Sequence, residues 1–214
     1  MSRAKLPSGE KASEPKLSGK EALISATIRA LEAGGEPSVR LELILSEAGV
    51  SPSSLYHHFG SLDGLIDIAQ VERFASNSAR NLAEFEKRLA SVRSATEFRE
   101  LTDEMFDLIF APARLTGRMA RVDALNRAFG NADLQAQLST IYRGILDRIS
   151  ENIGLARTMG WLDERVNPRA VGGWIDSMDL GRVLVDLADD PIFHEEWMAL
   201  VKKTFDYMLY ESWS

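Results

Sequence analysis

Apolar residues recur at intervals of three and four along almost the whole chain from Ser18 onward, and this period constrains the fold more than any other feature. Side chains return to one face of an α-helix at this spacing. Few stretches alternate apolar and polar residues or are rich in β-branched side chains, so strands have little support. The sequence therefore predicts an all-α protein.

Glycine, proline and capping residues divide the pattern into nine segments. The first helix begins near Ser18 and ends at Gly34-Gly35, and the fourth is a long helix of seven or eight turns. The remaining predicted helices cover 39–48, 52–59, 62–90, 94–110, 113–128, 132–158, 168–188 and 192–211, with 62–90 being the long one. No repeat of 20–50 residues is visible, which argues against a helical solenoid.

Composition excludes several classes of protein. The 214 residues are 45% apolar, enough for one large or two small domains. The absence of cysteine excludes disulfide scaffolds and thiolate metal sites. Neither a secretory signal nor an apolar run of about 20 residues is visible, so we expect a cytoplasmic protein without a membrane partner.

Charge is unevenly distributed along the chain. Residues 1–60 carry equal numbers of basic and acidic side chains, so the net charge of −7 arises entirely after residue 60. The first twenty residues hold five basic and two acidic side chains. If the chain meets nucleic acid, it does so at its N-terminal end.

Residues 39–59 have the pattern of two short helices joined by a tight turn. Leu41, Ile44 and Leu45 form one apolar face, and Gly49 permits the turn. Ser51 is a good N-cap for the second helix, and Pro52 occupies the first helical position, where its missing N–H costs nothing. This is the arrangement of a helix-turn-helix.

On the second of these helices, Leu55 and Phe59 point inward. Other faces therefore carry small or planar polar side chains, namely Ser53, Ser54, Tyr56, His57 and His58. A helix in the major groove of DNA uses such groups to reach phosphates and base edges. The alternative is a half-buried helix whose tyrosine and histidines satisfy local hydrogen bonds.

The stretch AGVSPSSLYHHFGSLDGL resembles the helix-turn-helix signature of TetR-family transcriptional regulators, in which Ala-Gly-Val-Ser, Leu-Tyr-x-x-Phe and a further Leu recur in this order. The resemblance extends over about 45 residues and ends at Leu65. It implies a set of DNA-binding residues: Arg40, Ser51, Pro52, Ser53, Ser54, Tyr56, His57 and His58.

Three features depart from the family pattern. Leu62 replaces a phosphate-binding lysine, and Arg40 stands where a capping Thr or Ser is common, which leaves Ser38 as the nearest N-cap. Glu42 and Glu47 place acid on the helix that crosses the DNA backbone. Each lost phosphate contact weakens salt-dependent binding, so we expect modest DNA affinity per subunit and dependence on dimerisation and the basic tail.

The resemblance also implies a domain organisation and a function. Residues 1–17 are a flexible basic tail, 18–64 a helix-turn-helix DNA-binding domain, and 65–214 a helical ligand-binding and dimerisation domain. The expected function is a ligand-responsive homodimeric repressor that a small molecule releases from its double-stranded DNA operator. A ligand that favours the DNA-bound form would instead make it a co-repressor-type regulator.

The last two helices carry broad apolar faces. The resemblance implies that they pair with their copies in a second subunit as a four-helix bundle. The predicted interface residues are Val171, Trp174, Ile175, Met178, Trp197, Val201, Phe205 and Met208. The alternative is that these side chains form the core of a single subunit.

The middle helices are the predicted sensor, with an apolar cavity anchored by the polar groups of Asp123 and Asn126. The predicted ligand-binding residues are Met105, Phe106, Ile109, Phe110, Met119, Val122, Asp123, Asn126, Tyr142 and Trp174, with Leu125 and Phe129 beside them. The alternative is that the Met and Phe side chains are ordinary core.

Other functions have less support. The chain lacks the P-loop, nucleophile-elbow and zincin motifs, so we expect no enzyme and no cofactor. The adjacent His57 and His58 point about 100° apart on a helix and have no suitably spaced third ligand, so we expect no metal site. The remaining alternative is a helical adaptor of the same fold that binds a protein rather than DNA.

Overall fold

Residues 17–211 are described by a computed structural model, in which they form nine α-helices and no strand. These helices are α1 (Gly19–Gly34), α2 (Leu41–Ala48), α3 (Pro52–Phe59), α4 (Leu62–Leu89), α5 (Ala95–Ile109), α6 (Leu115–Ala128), α7 (Ala132–Thr158), α8 (Pro168–Ala188) and α9 (Pro191–Asp206). Two short 3₁₀ helices, Glu36–Ser38 and Pro112–Arg114, and a π-helical turn, Tyr207–Glu211, complete the set. The predicted all-α class is confirmed. The predicted basic tail lies outside the described residues, apart from Leu17.

The helices begin where side-chain oxygens cap them. Ser18 accepts from the amide of Glu21, whose carboxylate accepts in return from the amide of Ser18. The side chains of Ser94, Asn131, Asn167 and Asp190 cap α5, α7, α8 and α9 in the same way. These caps satisfy amides that have no partner within the helix, which explains why the predicted boundaries lie within a few residues of the observed ones.

The chain forms two compact units, one ending at Ile66 and the other beginning at Asp67. The first unit contains α1, α2, α3 and the start of α4. Its buried side chains include Leu23, Ala26, Leu31, Ile44 and Leu55. The roles assigned to the predicted domains, DNA binding for 18–64 and ligand binding with dimerisation for 65–214, stay predictions at this point.

The second unit has an apolar core built from α5, α7, α8 and α9. Phe106 is its centre: its ring lies 5.5 Å from that of Phe110 and 4.2 Å from that of Phe205. Helices α7 and α8 approach closely at Gly172, where an added Cβ would lie 2.9 Å from Cγ2 of Ile149. A glycine is therefore needed for these two helices to meet.

Buried ion pairs join α6 to α8. Arg118 is 2% exposed and donates from Nη2 to Oδ2 of Asp186 at 2.6 Å. Its other guanidinium hydrogens reach the carbonyl oxygens of Ile109 and Ala111. Arg182, 1% exposed, donates from Nε to Oδ1 of Asp186 at 3.0 Å. The periodicity of the sequence does not reveal this network, because charged residues on helices are normally solvated.

We expect Arg118→Met to lower the free energy of unfolding by about 3–5 kcal/mol, because it leaves the buried Asp186 with Arg182 alone and removes the donor to the carbonyl oxygens of Ile109 and Ala111. The measurement is guanidinium unfolding followed by tryptophan fluorescence, since all four tryptophans lie beyond residue 160. The matched control is Arg169→Met, which removes an exposed pair with Asp147 and should cost less than about 1 kcal/mol. Equal effects of the two substitutions would contradict a structural role for the buried pair.

Candidate nucleic-acid interface and ligand cavity

A left-handed glycine makes the turn between α2 and α3. Gly49 has φ 66° and ψ 33°, and its amide donates to the carbonyl oxygens of Leu45 and Ser46. Ser51 then adopts an extended conformation, and its Oγ accepts from the amide of Ser54 at 3.4 Å. Pro52 is the first helical residue, as the sequence predicts. The helix-turn-helix follows from these local preferences.

Helix α3 presents its polar side chains to solvent. Leu55 is completely buried and Phe59 half-buried, so they attach the helix to its own unit. The exposed residues are Ser51, Pro52, Ser53, Tyr56, His57 and His58, with Tyr56 52% exposed, while Ser54 is half-buried. The alternative of a tyrosine and histidines buried against this unit therefore does not describe α3.

The N-terminus of α2 differs from the prediction. Ser38 is not the N-cap, because residues 36–38 form a 3₁₀ helix and Val39 is buried behind them. Arg40 occupies the cap position, is exposed, and makes no capping hydrogen bond with its side chain. Its guanidinium is thus directed to the surface.

The acidic residues of α2 are not equivalent. Glu47 accepts from Nε of Arg29 at 2.5 Å, so its charge is compensated within the unit. Glu42 is exposed in the first turn of α2. Leu62, which replaces the family's lysine, is half-buried at the first position of α4.

The second unit contains an apolar cavity of about 120 Å³ between α4, α5, α7, α8 and the C-terminal end of the chain. Three predicted ligand-binding residues line it: Met105, Phe106 and Ile109. Among the described residues that line this cavity, none is charged, and the polar ones are Ser78, Asn81 and Thr102. The cavity suits an uncharged, mainly apolar group.

The structure does not bring the other predicted ligand residues to this cavity. Met119 and Asn126 are exposed, Val122 is half-buried, and Asp123 lies 3.6 Å from the guanidinium of Arg73. The flanking residues Leu125 and Phe129 are exposed, Phe129 almost completely. These side chains of α6 point away from α5. The spacing of apolar residues predicts a helix but does not determine how the helix is rotated about its axis.

The aromatic members of the predicted ligand set lie elsewhere. Phe110 packs against Trp197 with ring centroids 5.3 Å apart, and Trp174 stacks on Phe205. Tyr142 lines a different cavity beside Asp176.

Sequence reasoning missed the wall of the apolar cavity that α4 and α7 supply. These residues are Ser78, Asn81, Leu82 and Phe85 on α4, and Ile145, Ile149 and Ile153 on α7. Their spacing of three and four on each helix was the available signal, but it is equally the pattern of ordinary core.

The predicted dimer residues belong to the core of one subunit. Val171, Val201 and Phe205 are buried within the chain itself, and the half-buried Trp174, Ile175, Met178, Trp197 and Met208 pack against the same cluster. Within the single chain these side chains therefore contribute to the intramolecular core, as the alternative states. Their contact with a second subunit stays a prediction.

Helices α8 and α9 nevertheless carry a second apolar face, which is exposed. We define the outer face as the exposed side chains Leu184, Leu187, Ile192, Leu200 and Tyr207, which are 57–79% exposed. On the same side of α8, an added Cβ at Gly173 or Gly181 meets no described atom within 4 Å. A helix of another molecule can therefore approach α8 closely.

Comparisons with known proteins agree with this geometry. Residues 23–67 match the family model described as bacterial regulatory proteins, tetR family. Residues 23–67 are therefore a domain of the TetR family. No curated protein matches the chain.

Solved TetR-family structures share the fold over nearly the whole chain. Salmonella enterica GusR is 18% identical, with a TM-score of 0.64 and coverage of 94% of this chain and 99% of its own. A TetR transcription regulator from Haloarcula marismortui is 16% identical, with a TM-score of 0.61 and coverage of 89% and 98%. The transcriptional regulator FadR from Bacillus subtilis, solved in complex with stearoyl-CoA, is 14% identical, with a TM-score of 0.59 and coverage of 89% and 98%.

Within residues 17–211, no helix has the length and apolar composition needed to cross a membrane. Nor does this part of the chain bring three histidine or carboxylate side chains together as a metal site.

Proposed function

We propose that the chain is a ligand-responsive transcriptional repressor, which binds an operator as a homodimer and is released by a small molecule. The observation that carries this proposal is α3: a family helix-turn-helix that exposes the phenol of Tyr56, the imidazoles of His57 and His58 and the side chain of Ser53. Side chains of this kind form hydrogen bonds with phosphates and with base edges in the major groove. The proposed DNA contacts are Arg40, Ser51, Pro52, Ser53, Ser54, Tyr56, His57 and His58.

A second subunit is part of the proposal, because one eight-residue recognition helix contacts too few base pairs for specific binding. Two such helices in a dimer read half-sites about 34–36 Å apart. The outer face supports dimerisation, since it exposes leucine, isoleucine and tyrosine side chains of α8, α9 and the turn that follows. Dimerisation there buries apolar surface that each subunit otherwise leaves in water.

The apolar cavity is the proposed effector site. Its volume accommodates about ten water-sized positions, which corresponds to a ligand of roughly ten non-hydrogen atoms. FadR from Bacillus subtilis holds stearoyl-CoA, and an acyl chain is the kind of group that this lining accepts. A charged headgroup has no cationic partner among the described lining residues and must remain outside the cavity. Since α4 both lines the cavity and continues into the first unit, ligand binding there can alter DNA affinity.

The double substitution Ser54→Ala with Tyr56→Ala should lower affinity for an operator, selected from random duplex DNA, by at least about 100-fold. The measurement is DNA-binding titration, with circular dichroism and solution mass unchanged. Thr96→Ala with Thr116→Ala removes two exposed hydroxyls from the second unit and serves as the control.

In the unmodified protein, the logarithm of DNA affinity should fall linearly with the logarithm of the salt concentration, with a slope of several units. Unchanged binding by the double variant would refute the assigned face, and a flat salt response would favour the protein-binding adaptor.

Leu184→Glu with Leu200→Glu should convert the dimer to a folded monomer, because it places carboxylates in the centre of the outer face. Light scattering after gel filtration measures the mass. Leu155→Glu, at a 50% exposed leucine on α7, is the control and should leave the mass unchanged. Phe205→Glu should instead lower the melting temperature, since Phe205 is 3% exposed within the core. A dimer that survives the double substitution would place the interface elsewhere.

We expect 1-octanol to weaken operator binding, and octanoate to do so only at concentrations at least about tenfold higher, because the cavity offers a carboxylate no cation. Ile149→Trp fills the cavity and should remove the response to octanol. Leu155→Trp adds the same ring to an exposed position of α7 and should leave the response unchanged. Operator binding measured against alcohol concentration distinguishes these outcomes, and an unaltered response in Ile149→Trp would exclude this cavity as the effector site.

A further inference from the structure

A second cavity, of about 320 Å³, lies between α6, α7 and α8 and is separate from the apolar one. The two share no lining residue in the described part of the chain. Phe74, Leu138 and Leu180 supply apolar walls. Unlike the apolar cavity, this one has charged side chains in its lining, Arg121 and Asp176. It is named here the Asp176 cavity.

Asp176 has one carboxylate oxygen without a partner. Its Oδ1 lies 3.4 Å from Nη2 of Arg121, beyond the usual length of a charged hydrogen bond. Its Oδ2 is buried and accepts no hydrogen bond from any residue in 17–211. Burial raises the pKa of Asp176, although Arg121 acts to lower it. A hydrogen bond from a ligand donor would stabilise this buried, unpartnered acceptor.

Arg121 cannot supply that donor, because it is already engaged. Its Nη1 donates to Oδ2 of Asp179 at 2.6 Å, and its guanidinium lies over the ring of Phe74. Asp179 also lies 3.8 Å from Nη1 of Arg118, which pairs in addition with Asp186. The short hydrogen bond of Arg121 thus goes to Asp179, and Asp176 keeps only the longer contact with Arg121.

Tyr142 is the third group at this end. It is half-buried and lines the cavity. Burial and the charge of Asp176 raise the pKa of its phenol, although Arg121 and Arg169 act to lower it. The face of a tyrosine ring attracts cations. The carboxylate and the ring therefore favour the same kind of ligand group.

We propose that the Asp176 cavity binds an organic ammonium compound, whose nitrogen donates to Oδ2 of Asp176 beside Tyr142 and whose hydrocarbon part contacts Phe74, Leu138 and Leu180. This site takes a cationic ligand, whereas the apolar cavity takes an uncharged one. One subunit thus carries two sites of opposite chemical preference. The inference does not rest on DNA binding, because the site lies wholly within the second unit.

The test is calorimetric titration of the full chain with 2-phenylethylammonium and with its neutral isostere 2-phenylethanol. We expect the ammonium to bind at least about tenfold more tightly than the alcohol. Asp176→Asn should reduce ammonium affinity at least about tenfold, since the amide lacks the charge. Asp189→Asn removes one carboxylate from the exposed end of α8 and should leave the affinity unchanged.

Three results would overturn the proposal: equal affinity for the ammonium and the alcohol, unchanged ammonium affinity in a folded Asp176→Asn variant, or no ammonium binding up to about 10 mM. Circular dichroism reports whether the variant folds. If Asp176→Asn does not fold, Leu180→Trp decides the matter, because it fills the Asp176 cavity without altering the carboxylate. Loss of ammonium binding in Leu180→Trp supports the site, and retention refutes it.

Discussion

The ion pair between Arg118 of α6 and Asp186 of α8 holds these two helices together, and Arg182 of α8 shares the same carboxylate. Taking guanidinium and carboxylate groups out of water is costly unless their geometry satisfies them almost completely. The bonds from Arg118 to two backbone carbonyl oxygens meet that condition. Arg182 lies over the ring of Trp197, while its buried Nη1 has no hydrogen-bond partner in residues 17–211. Once α6 is held against α8 in this way, the contacts of its other faces are determined as well.

One of these faces of α6 contacts α4. Asp67, near the start of α4, accepts from Arg127 of α6 at 2.7 Å and from Asn131 in the α6–α7 turn at 3.2 Å. Arg73 of α4 lies 3.6 Å from Asp123 of α6. Polar contacts thus connect α8 to α6 and α6 to α4, the helix that also lines the apolar cavity. A displacement of α6 therefore acts on α4 through these polar contacts and through the apolar cluster that Val71 and Phe74 form with Ala124 and Ala128.

Local signals in the sequence predicted most of the fold. The nine helices, the turn at Gly49 and the cap at Ser51 follow from period, glycine and capping chemistry, which are properties of neighbouring residues. The exposure of the other α3 side chains could also be predicted, because Leu55 and Phe59 are the apolar residues that attach this short helix to its unit. The ion pairs between the arginines of α6 and the aspartates of α8 could not be predicted in this way, because the two partners lie about 60 to 70 residues apart in the chain.

The errors have a common physical origin. A helix in this unit has two apolar faces, and the sequence does not say which one meets its own subunit. On α8 and α9 the bulky aromatic side chains fill the core, and the face left in water carries leucines and small residues instead. On α6 the buried face is formed by alanines and arginine, Ala120, Ala124 and Arg118, so Met119 and Leu125 lie outside. Small side chains inside and large ones outside reverse the usual expectation wherever two helices pack closely.

The free energies required for regulation relate the proposed dimer to the proposed response to ligand. Changing an operator from almost fully occupied to almost fully free requires about 5.5 kcal/mol of differential binding. A single effector site typically supplies about 1–3 kcal/mol of coupling, and a ligand of roughly ten atoms in an apolar cavity has no charged contacts with which to exceed it. Two such sites in a dimer reach the required total only if both are filled and both act on the same equilibrium. Dimerisation then serves regulation as well as recognition, because it doubles the free energy that a small apolar effector brings to bear on one operator.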